Sequence, residues 1–299
     1  MTTPTTTRSH TVDVGGRQRT YLLTAPAETA PAETAPAETA GAPLVLVFHG
    51  SNQTAAAIRG FTAPGFDTLA SVDGAVVAYP QGYRKHWNDA RAASDFAARR
   101  EGYDDVAFVR ALIEELARTH GIDRSRVYAV GYSNGGQLVI RLAHEVPELL
   151  AGIALIGATQ PVPEQFVPTV DRPGPLPVLM IHGTKDPNVP YDGGTATLFG
   201  FRPRGRGLSA PDTAAYWARR NGHVGGPTVT EVPGERPDRT RVERTDHGTP
   251  GLPPVRLFTV YGGGHVLPGD KAAVRILGRT SRRIRTVDEI ARFFGLREE

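Results

Sequence analysis

The sequence predicts an α/β protein whose mostly parallel central sheet has helices on both faces. Short, uninterrupted apolar runs recur along the chain, as in strands that are buried on both faces of a parallel sheet. Amphipathic helical segments separate several of these runs, which is the alternation that βα units show. In such sheets, functional residues are expected at the carboxyl ends of the strands.

A chain of 299 residues allows one large α/β domain or two small ones, and we predict a single domain over residues 1–299. Of the 299 residues 39% are hydrophobic, and the net charge is +3 at pH 7. So small a charge does not require a nucleic-acid partner, and no apolar run reaches the length of a membrane span. The chain has no cysteine, which excludes thiol catalysis, disulfides and cysteine-bound zinc. No histidine pair has the spacing of metal ligands, so we expect neither a metal nor another cofactor.

The apolar pattern places the elements in order. Strands are predicted over residues 10–14, 17–23, 44–48, 75–79, 127–130, 152–156, 178–181 and 255–261. The first two form a hairpin that turns at Gly15-Gly16. One helix is predicted over residues 104–120, and another follows the strand at 127–130.

Three further segments complete the predicted elements. A helix over residues 287–294 is predicted to begin with a capping box formed by Thr286 and Glu289. Residues 200–210 and 233–254 are rich in proline, glycine and charge, and are predicted to be long loops. The first of these loops either flanks a substrate groove or is plain surface.

Residues 26–40 are three tandem copies of Pro-Ala-Glu-Thr-Ala. Three five-residue repeats are too short for a solenoid, so this low-complexity segment is predicted to be an expanded surface loop. We expect a variant without residues 26–40 to retain activity. A large loss of activity in a variant that still folds, as judged by circular dichroism, would contradict this prediction.

The most informative motif is Gly131-Tyr132-Ser133-Asn134-Gly135, where a predicted strand meets a helix. This is the G-x-S-x-G pattern of a nucleophile turn, which holds a serine exposed and strained at the top of a sheet. Cβ atoms at the two glycine positions would collide across so tight a turn. Ser133 is therefore the candidate nucleophile.

An activated serine needs a base and a residue that orients the base. After the strand at 178–181 comes Asp186, and after the last strand three glycines precede His265. The order Ser133, Asp186, His265 is the one that this kind of sheet uses. Asp192 and Asp171 are alternative acids, although neither directly follows a strand. His182 is predicted to support its own loop.

The remaining candidates concern the oxyanion and the substrate. The backbone amide of Asn134, at the start of a helix, and that of Ser51, after the strand at 44–48, are predicted to bind a developing oxyanion. Trp87 lies in a polar loop at the carboxyl end of another strand. It is predicted either to form a wall of the substrate site or to pin its loop to the body.

With these motifs the sequence resembles the esterase/polyhydroxybutyrate-depolymerase family of α/β hydrolases, which includes feruloyl and acetylxylan esterases. The resemblance runs from about residue 44 to residue 269. The motifs that carry it are Phe48-His49-Gly50-Ser51, Tyr79-Pro80-Gln81-Gly82, Trp87-Asn88-Asp89, Asp104-Asp105-Val106-Ala107-Phe108, Gly131-Tyr132-Ser133-Asn134-Gly135-Gly136, His182-Gly183 with Asp186, and Gly262-Gly263-Gly264-His265. It implies the α/β-hydrolase fold, with Ser133 as nucleophile, Asp186 as acid and His265 as base.

These observations predict a serine esterase that hydrolyses carboxylic esters through an acyl-enzyme. The alternatives are a peptidase or thioesterase with the same triad, and a non-catalytic ligand-binding homologue. The expected partner is a small or oligomeric ester, and neither nucleic acid nor a membrane. A cytoplasmic location is expected because no signal peptide is visible, with an extracellular one as the alternative that the resemblance implies.

Overall fold

The computed structural model describes residues 3–26, 41–168, 174–234 and 238–298. The strands are β1 (Thr5–Val14), β2 (Arg17–Pro26), β3 (Ala42–Phe48), β4 (Val76–Pro80), β5 (Ile122–Tyr132), β6 (Gly152–Ile156), β7 (Val178–Gly183), β8 (Gly194–Thr195), β9 (Arg206–Gly207), β10 (Thr228–Val232), β11 (Arg241–His247) and β12 (Val255–Tyr261). The α-helices are α1 (Ala55–Arg59), α2 (Thr68–Ser71), α3 (Ala97–Arg100), α4 (Asp105–His120), α5 (Asn134–Glu145), α6 (Ala210–Arg220) and α7 (Thr286–Phe293). The repeats, except Pro26, lie outside the described residues.

Ten of these strands form one sheet in the order β1-β2-β4-β3-β5-β6-β7-β12-β11-β10. The central strands, from β4 to β12, pair in parallel. Antiparallel strands extend both edges, and the predicted hairpin of β1 and β2 is one of these extensions. The predicted mostly parallel sheet is confirmed. Strands β8 and β9 form a separate two-stranded sheet.

The apolar runs of the central strands supply both layers of the core. In β3, Leu44, Leu46 and Phe48 pack on the side of α4, α5 and α6. The alternate residues Val45 and Val47 pack on the opposite side, with α1, α2 and α7. Successive side chains of a strand point to opposite faces. A strand with helices on both faces therefore needs apolar residues at every position.

Two segments differ from the predicted loops. Strand β11 lies inside residues 233–254. Strand β9 lies inside residues 200–210, and α6 begins at the last of these residues. Strand β11 has no apolar run because its charges are paired on the sheet surface: Arg244 and Arg256 each reach Asp246 at 2.6 Å. An antiparallel strand near a sheet edge has one face in solvent and can carry such a pattern.

The predicted capping box of α7 is wrong. The Thr286 hydroxyl donates to the carbonyl of Pro268 at 2.9 Å instead of accepting from its own helix. Glu289 pairs with Arg292 at 2.7 Å, one turn further along the helix. The buried Thr286 thus ties the start of α7 to the loop that follows β12.

The turn between β5 and α5 depends on close backbone contacts. A Cβ at Gly131 would lie 2.4 Å from the carbonyl oxygen of Gly135. A Cβ at Gly135 would lie 2.3 Å from the carbonyl oxygen of Phe48, at the end of β3. The collision predicted for these two positions is confirmed. The turn therefore packs against both its own helix and the neighbouring strand.

We expect Gly135→Ala to destabilise the protein by roughly 1–3 kcal/mol or more, because the added methyl group meets backbone that cannot rotate away. The matched control is Gly225→Ala, where an added Cβ meets nothing within 4 Å. The free energy of unfolding from urea titrations measures both changes. Equal stability of the two variants would contradict the packing described for this turn.

Candidate active site

Ser133 lies directly after β5, at the carboxyl end of the central strands. Its backbone has φ 54° and ψ −114°, a conformation that residues other than glycine rarely adopt. The Ser133 amide donates to the carbonyl of Ile156 at 2.9 Å, which ties the turn to the end of β6. The sequence prediction of a strained serine between strand and helix thus matches the backbone.

His265 and Asp186 are joined as the sequence order predicts. Nδ1 of His265 donates to Oδ2 of Asp186 at 2.6 Å, and both side chains are buried. Oδ1 of Asp186 accepts from the amides of Asn188 and Val189, each at 2.8 Å. The tight turn after β7 therefore fixes the carboxylate, and the carboxylate fixes the imidazole. Asp171 lies outside the described residues.

Asp186 is held in its ionised form. Burial opposes ionisation, but His265, His182 and the hydrogen bonds to this carboxyl together keep the pKa of Asp186 below its ordinary value. An ionised carboxylate only accepts hydrogen bonds, so the neutral His265 carries its proton on Nδ1. Its Nε2 is then the nitrogen that can accept a proton.

Two residues that the sequence reasoning did not assign also hold His265. The Tyr132 hydroxyl donates to the backbone carbonyl of His265 at 2.7 Å, and the two ring centroids are 5.0 Å apart. At Gly157, after β6, a Cβ would lie 2.9 Å from the imidazole. The position of Tyr132 directly before Ser133 is a partial sequence signal that Tyr132 belongs to the site.

His182 supports the same turn from behind. Its Nε2 donates to the carbonyl of Val189 at 2.9 Å and lies 3.5 Å from Oδ2 of Asp186. The prediction that His182 holds its own loop is confirmed.

The loop after β3 places Ser51 at the site, and His49 anchors this loop. Nδ1 of His49 donates to the carbonyl of Gly50 at 2.8 Å, and Nε2 accepts from the amide of Gly82 at 3.0 Å. Both ring nitrogens are used by the neutral imidazole. Burial, aided by the nearby His86 and opposed by the Gly50 carbonyl, lowers the pKa of His49 to about 4.

Asn134, the first residue of α5, is fixed through its side chain. Oδ1 accepts from the amide of Trp87 at 3.0 Å, and Nδ2 donates to Oδ2 of Asp89 at 2.6 Å. Asp89 is fully buried and is ion-paired with Arg91. The residue whose amide was predicted to bind an oxyanion is therefore held from two sides. The sequence motif contained Asp89 but did not reveal this contact.

The structure does not support Trp87 as a wall of the substrate site. Its side chain has no exposed surface, and its indole N–H donates to the carbonyl of His49 at 2.8 Å. The ring packs against Phe48 and His49. Trp87 thus pins its own loop and the end of β3 together, which is the other role that the sequence allowed.

Ser133 and His265 line one cavity of about 280 Å³. Ser51 lines it too, whereas Asp186 and Asn134 are not among its lining residues. Residues of the segment before β9 form much of the rest, and they are mainly apolar. The lining also includes Tyr132, Asn188, Val189, Ala196, Thr197, Leu198, Phe199, Leu277, Arg91 and Arg204.

The described ranges contain no cluster of three or more histidine or acidic side chains that could hold a metal ion. In the same part of the chain, no helix combines the length and apolarity needed to cross a bilayer.

Fold and site together define a class. A serine at a strained turn from a parallel strand into a helix, followed in the chain by an aspartate–histidine pair, is the arrangement of the α/β hydrolases. Residues 74–198 match the family described as Phospholipase/Carboxylesterase. The acetyl xylan esterase from Aspergillus awamori has the same overall fold, with a TM-score of 0.62 at 15% sequence identity, over 97% of this chain and 100% of that one.

Relatives found by sequence similarity identify the family within the α/β hydrolases. NocK of Nocardia uniformis subsp. tsuyamanensis, which is named for an expected esterase activity, is 33% identical over 96% of this chain and 82% of its own length. Poly(3-hydroxyalkanoate) depolymerase C of Paucimonas lemoignei is 26% identical over 77% of this chain and 56% of its own length. Feruloyl esterase B of Piromyces equi is 29% identical over 64% of this chain and 34% of its own length. The chain belongs to the esterase/polyhydroxybutyrate-depolymerase family of α/β hydrolases.

The buried His49 predicts a pH-dependent stability. Its folded-state pKa of about 4 lies below the ordinary 6.5, so the unfolded chain binds this proton first as the pH falls. The stability that neutral His49 provides is complete above about pH 6.5 and is lost as the pH falls toward 4, by at most about 3 kcal/mol. Urea titrations at several pH values give the slope.

We expect the slope between pH 4 and 6.5 to be smaller in His49→Gln than in the parent protein. An unchanged slope in His49→Gln would show that this imidazole is not held neutral.

Proposed function

We propose that the protein is a serine esterase that works through an acyl-enzyme on Ser133. The observation that carries the proposal is the pairing of His265 with the buried, ionised Asp186 beside the cavity that the strained Ser133 lines. A serine hydroxyl is a poor nucleophile at neutral pH and needs such an oriented base. Membership of an esterase family supports the same reaction class.

In the first half of the reaction, Oγ of Ser133 attacks the ester carbonyl while Nε2 of His265 takes the hydroxyl proton. Asp186 keeps the imidazole in the required tautomer and stabilises the imidazolium that forms. The negative charge that develops on the carbonyl oxygen is bound by the amides of Ser51 and Asn134. The imidazolium then gives its proton to the leaving alcohol, and the acyl group stays on Ser133.

In the second half, water replaces the alcohol. His265 takes a proton from this water, which attacks the acyl carbonyl through a second oxyanion. Collapse of that intermediate releases the acid and returns the proton to Ser133. Rigid support matters in both halves, since the donors must already point to the oxyanion. The contacts of Asn134 with Trp87 and Asp89 provide this support on one side.

The acyl groups named for the relatives differ: feruloyl, acetyl and hydroxyalkanoyl. The cavity of about 280 Å³ and its apolar residues, such as Val189 and Leu198, favour a short acyl group in this chain. A short-chain carboxylic ester is therefore the substrate that we propose.

We expect Ser133→Ala to lower kcat for p-nitrophenyl acetate by a factor on the order of 10⁴ to 10⁶, because the nucleophile is removed. Asp186→Asn should lower kcat by a factor of about 10⁴, because it favours the wrong imidazole tautomer. Spectrophotometric assays of the purified proteins measure both.

Ser125→Ala is the matched control, since Ser125 is exposed near the other end of the same strand β5. It should hydrolyse the ester at the parental rate and react with a fluorophosphonate probe as the parent does. Ser133→Ala should not react with the probe. Parental turnover by Ser133→Ala would disprove the mechanism, and absence of probe labelling in the parent would favour a non-catalytic homologue.

A further inference from the structure

Arg204 brings a positive charge to the wall of the cavity that Ser133 and His265 line. Its Nη1 donates to Oγ of Ser51 at 3.0 Å, so the guanidinium lies beside the loop that carries one of the proposed oxyanion amides. The side chain is half-buried, and its guanidinium carbon lies 4.7 Å from the ring centroid of Phe96. The mechanism proposed above does not use this charge.

No carboxylate forms an ion pair with Arg204 among the residues that the structure describes. The other arginine of the cavity, Arg91, is ion-paired with Asp89. Asp89 also accepts from Asn134 and, through its backbone carbonyl, from Arg99. Arg204 is thus the arginine of this cavity that has no ion-paired carboxylate in the described part of the protein.

The surroundings of Arg204 disfavour its positive charge. Burial, reinforced by Arg91 and Arg202 and opposed by Asp89, lowers the pKa of Arg204 below its ordinary value. A half-buried guanidinium costs free energy unless it is paired. An anion bound beside it would remove this cost and form a charge-assisted hydrogen bond.

Arg204 also lies where the reaction cavity meets an outer groove. Arg204 and Asn52 line both spaces, and the groove has a volume of about 570 Å³. Two other arginines of the groove have acidic partners: Arg100 pairs with Asp95 at 3.1 Å, and Arg84 with Glu101 at 3.2 Å. Arg202 also lines the groove without an ion pair among the described residues, but it is exposed and does not line the reaction cavity. Arg204 is therefore the positively charged side chain that a group meets where it passes from the reaction cavity into the groove.

We propose that Arg204 is a specificity-determining residue that binds a carboxylate of the substrate, so that the enzyme prefers esters carrying a carboxylate a few bonds from the scissile carbonyl. The proposal rests on the proposed function, because it assigns the substrate class of the Ser133 site. The carboxylate belongs to either the acyl or the alcohol part of the ester, because either part can extend from the reaction cavity into the outer groove. The guanidinium pairs with it in the fork geometry that arginine presents to carboxylates.

Two pairs of test esters separate these sources. For the acyl side, the p-nitrophenyl monoester of glutaric acid is compared with the same compound as its methyl ester. For the alcohol side, p-acetoxybenzoate is compared with methyl p-acetoxybenzoate. Within each pair the reacting ester bond is the same, and the members differ in the carboxylate charge and one methyl group. Each kcat/KM is therefore divided by the rate constant of the non-enzymatic hydrolysis of the same ester. We expect kcat/KM to favour the charged member of one pair, and the preference to shrink as ionic strength rises.

Substitutions then test whether Arg204 causes the preference. We expect Arg204→Gln to lower the charged-to-neutral ratio of kcat/KM by roughly 10- to 100-fold, the usual contribution of a charged hydrogen bond. Arg204→Lys should retain part of the ratio. Arg206→Gln is the matched control, since it removes the same charge from an exposed position two residues further on and should keep the whole ratio.

The alternative is that Arg204 only holds the Ser51 loop and binds no carboxylate, and this alternative gives a different result. In that case Arg204→Gln would slow the charged and the neutral esters alike, and the ratio would not move. Ser51→Ala removes the hydroxyl that Arg204 contacts but keeps the backbone amide, so by our proposal its ratio stays at or above the parental one. Equal kcat/KM within both ester pairs, or an unchanged ratio in Arg204→Gln, would overturn the proposal.

A binding measurement keeps this test independent of turnover. Calorimetric titration of Ser133→Ala with the preferred charged ester should give a Kd that rises at least tenfold when Arg204→Gln is added. If the parent hydrolyses none of the esters and does not react with a fluorophosphonate, the proposed function fails. The titration, then made with both charged esters, still decides about Arg204: binding that depends on Arg204 supports the anion site, and binding that does not overturns it.

Discussion

The close approach of the β5–α5 turn to the end of β3 is the constraint on which the site depends. Gly131 and Gly135 leave no room for a Cβ, because backbone oxygens lie 2.4 Å and 2.3 Å from where it would be. This contact imposes the sharp turn that holds Ser133 at φ 54°. It also brings the loop after β3, with Ser51, to the same edge of the sheet. The nucleophile and the loop with one proposed oxyanion amide thus meet where the turn packs against the end of β3.

Buried polar groups then fix the geometry around this contact. The Asp186 carboxylate accepts two backbone amides and the His265 imidazole, while the Tyr132 hydroxyl holds the His265 backbone. On the other side, neutral His49 and the indole of Trp87 join the strand ends. Each group has its partners inside the protein, so the cost of burial is offset by hydrogen bonds. Arg204 is different, because it has a hydrogen bond to Ser51 but no ion-paired carboxylate among the described residues, and for that reason it points to a ligand.

The sequence reveals the central strands because burial on both faces leaves a continuous apolar run. It reveals the order Ser133, Asp186, His265 because each residue follows such a run. Strand β11 has no apolar pattern in the sequence because it lies next to the edge strand β10 and carries paired charges on the sheet surface. The sequence allows two roles for Trp87, because polar neighbours in the chain do not show whether its side chain is buried. The contact of Arg204 with Ser51 joins residues 153 positions apart, and local sequence carries no signal for it.

The proposed reaction requires that an acyl group be carried on Ser133 during turnover. The most direct measurement is rapid acid quenching of the enzyme with p-nitrophenyl acetate, followed by intact-mass analysis and peptide mapping. We expect early quenches to show one added acetyl group on the peptide that contains Ser133. This group should disappear once the substrate is consumed. An acetyl group on another residue that disappears at the rate of turnover would rule out Ser133 as the nucleophile. Turnover with no acylated protein and no burst of p-nitrophenol would rule out an acyl-enzyme.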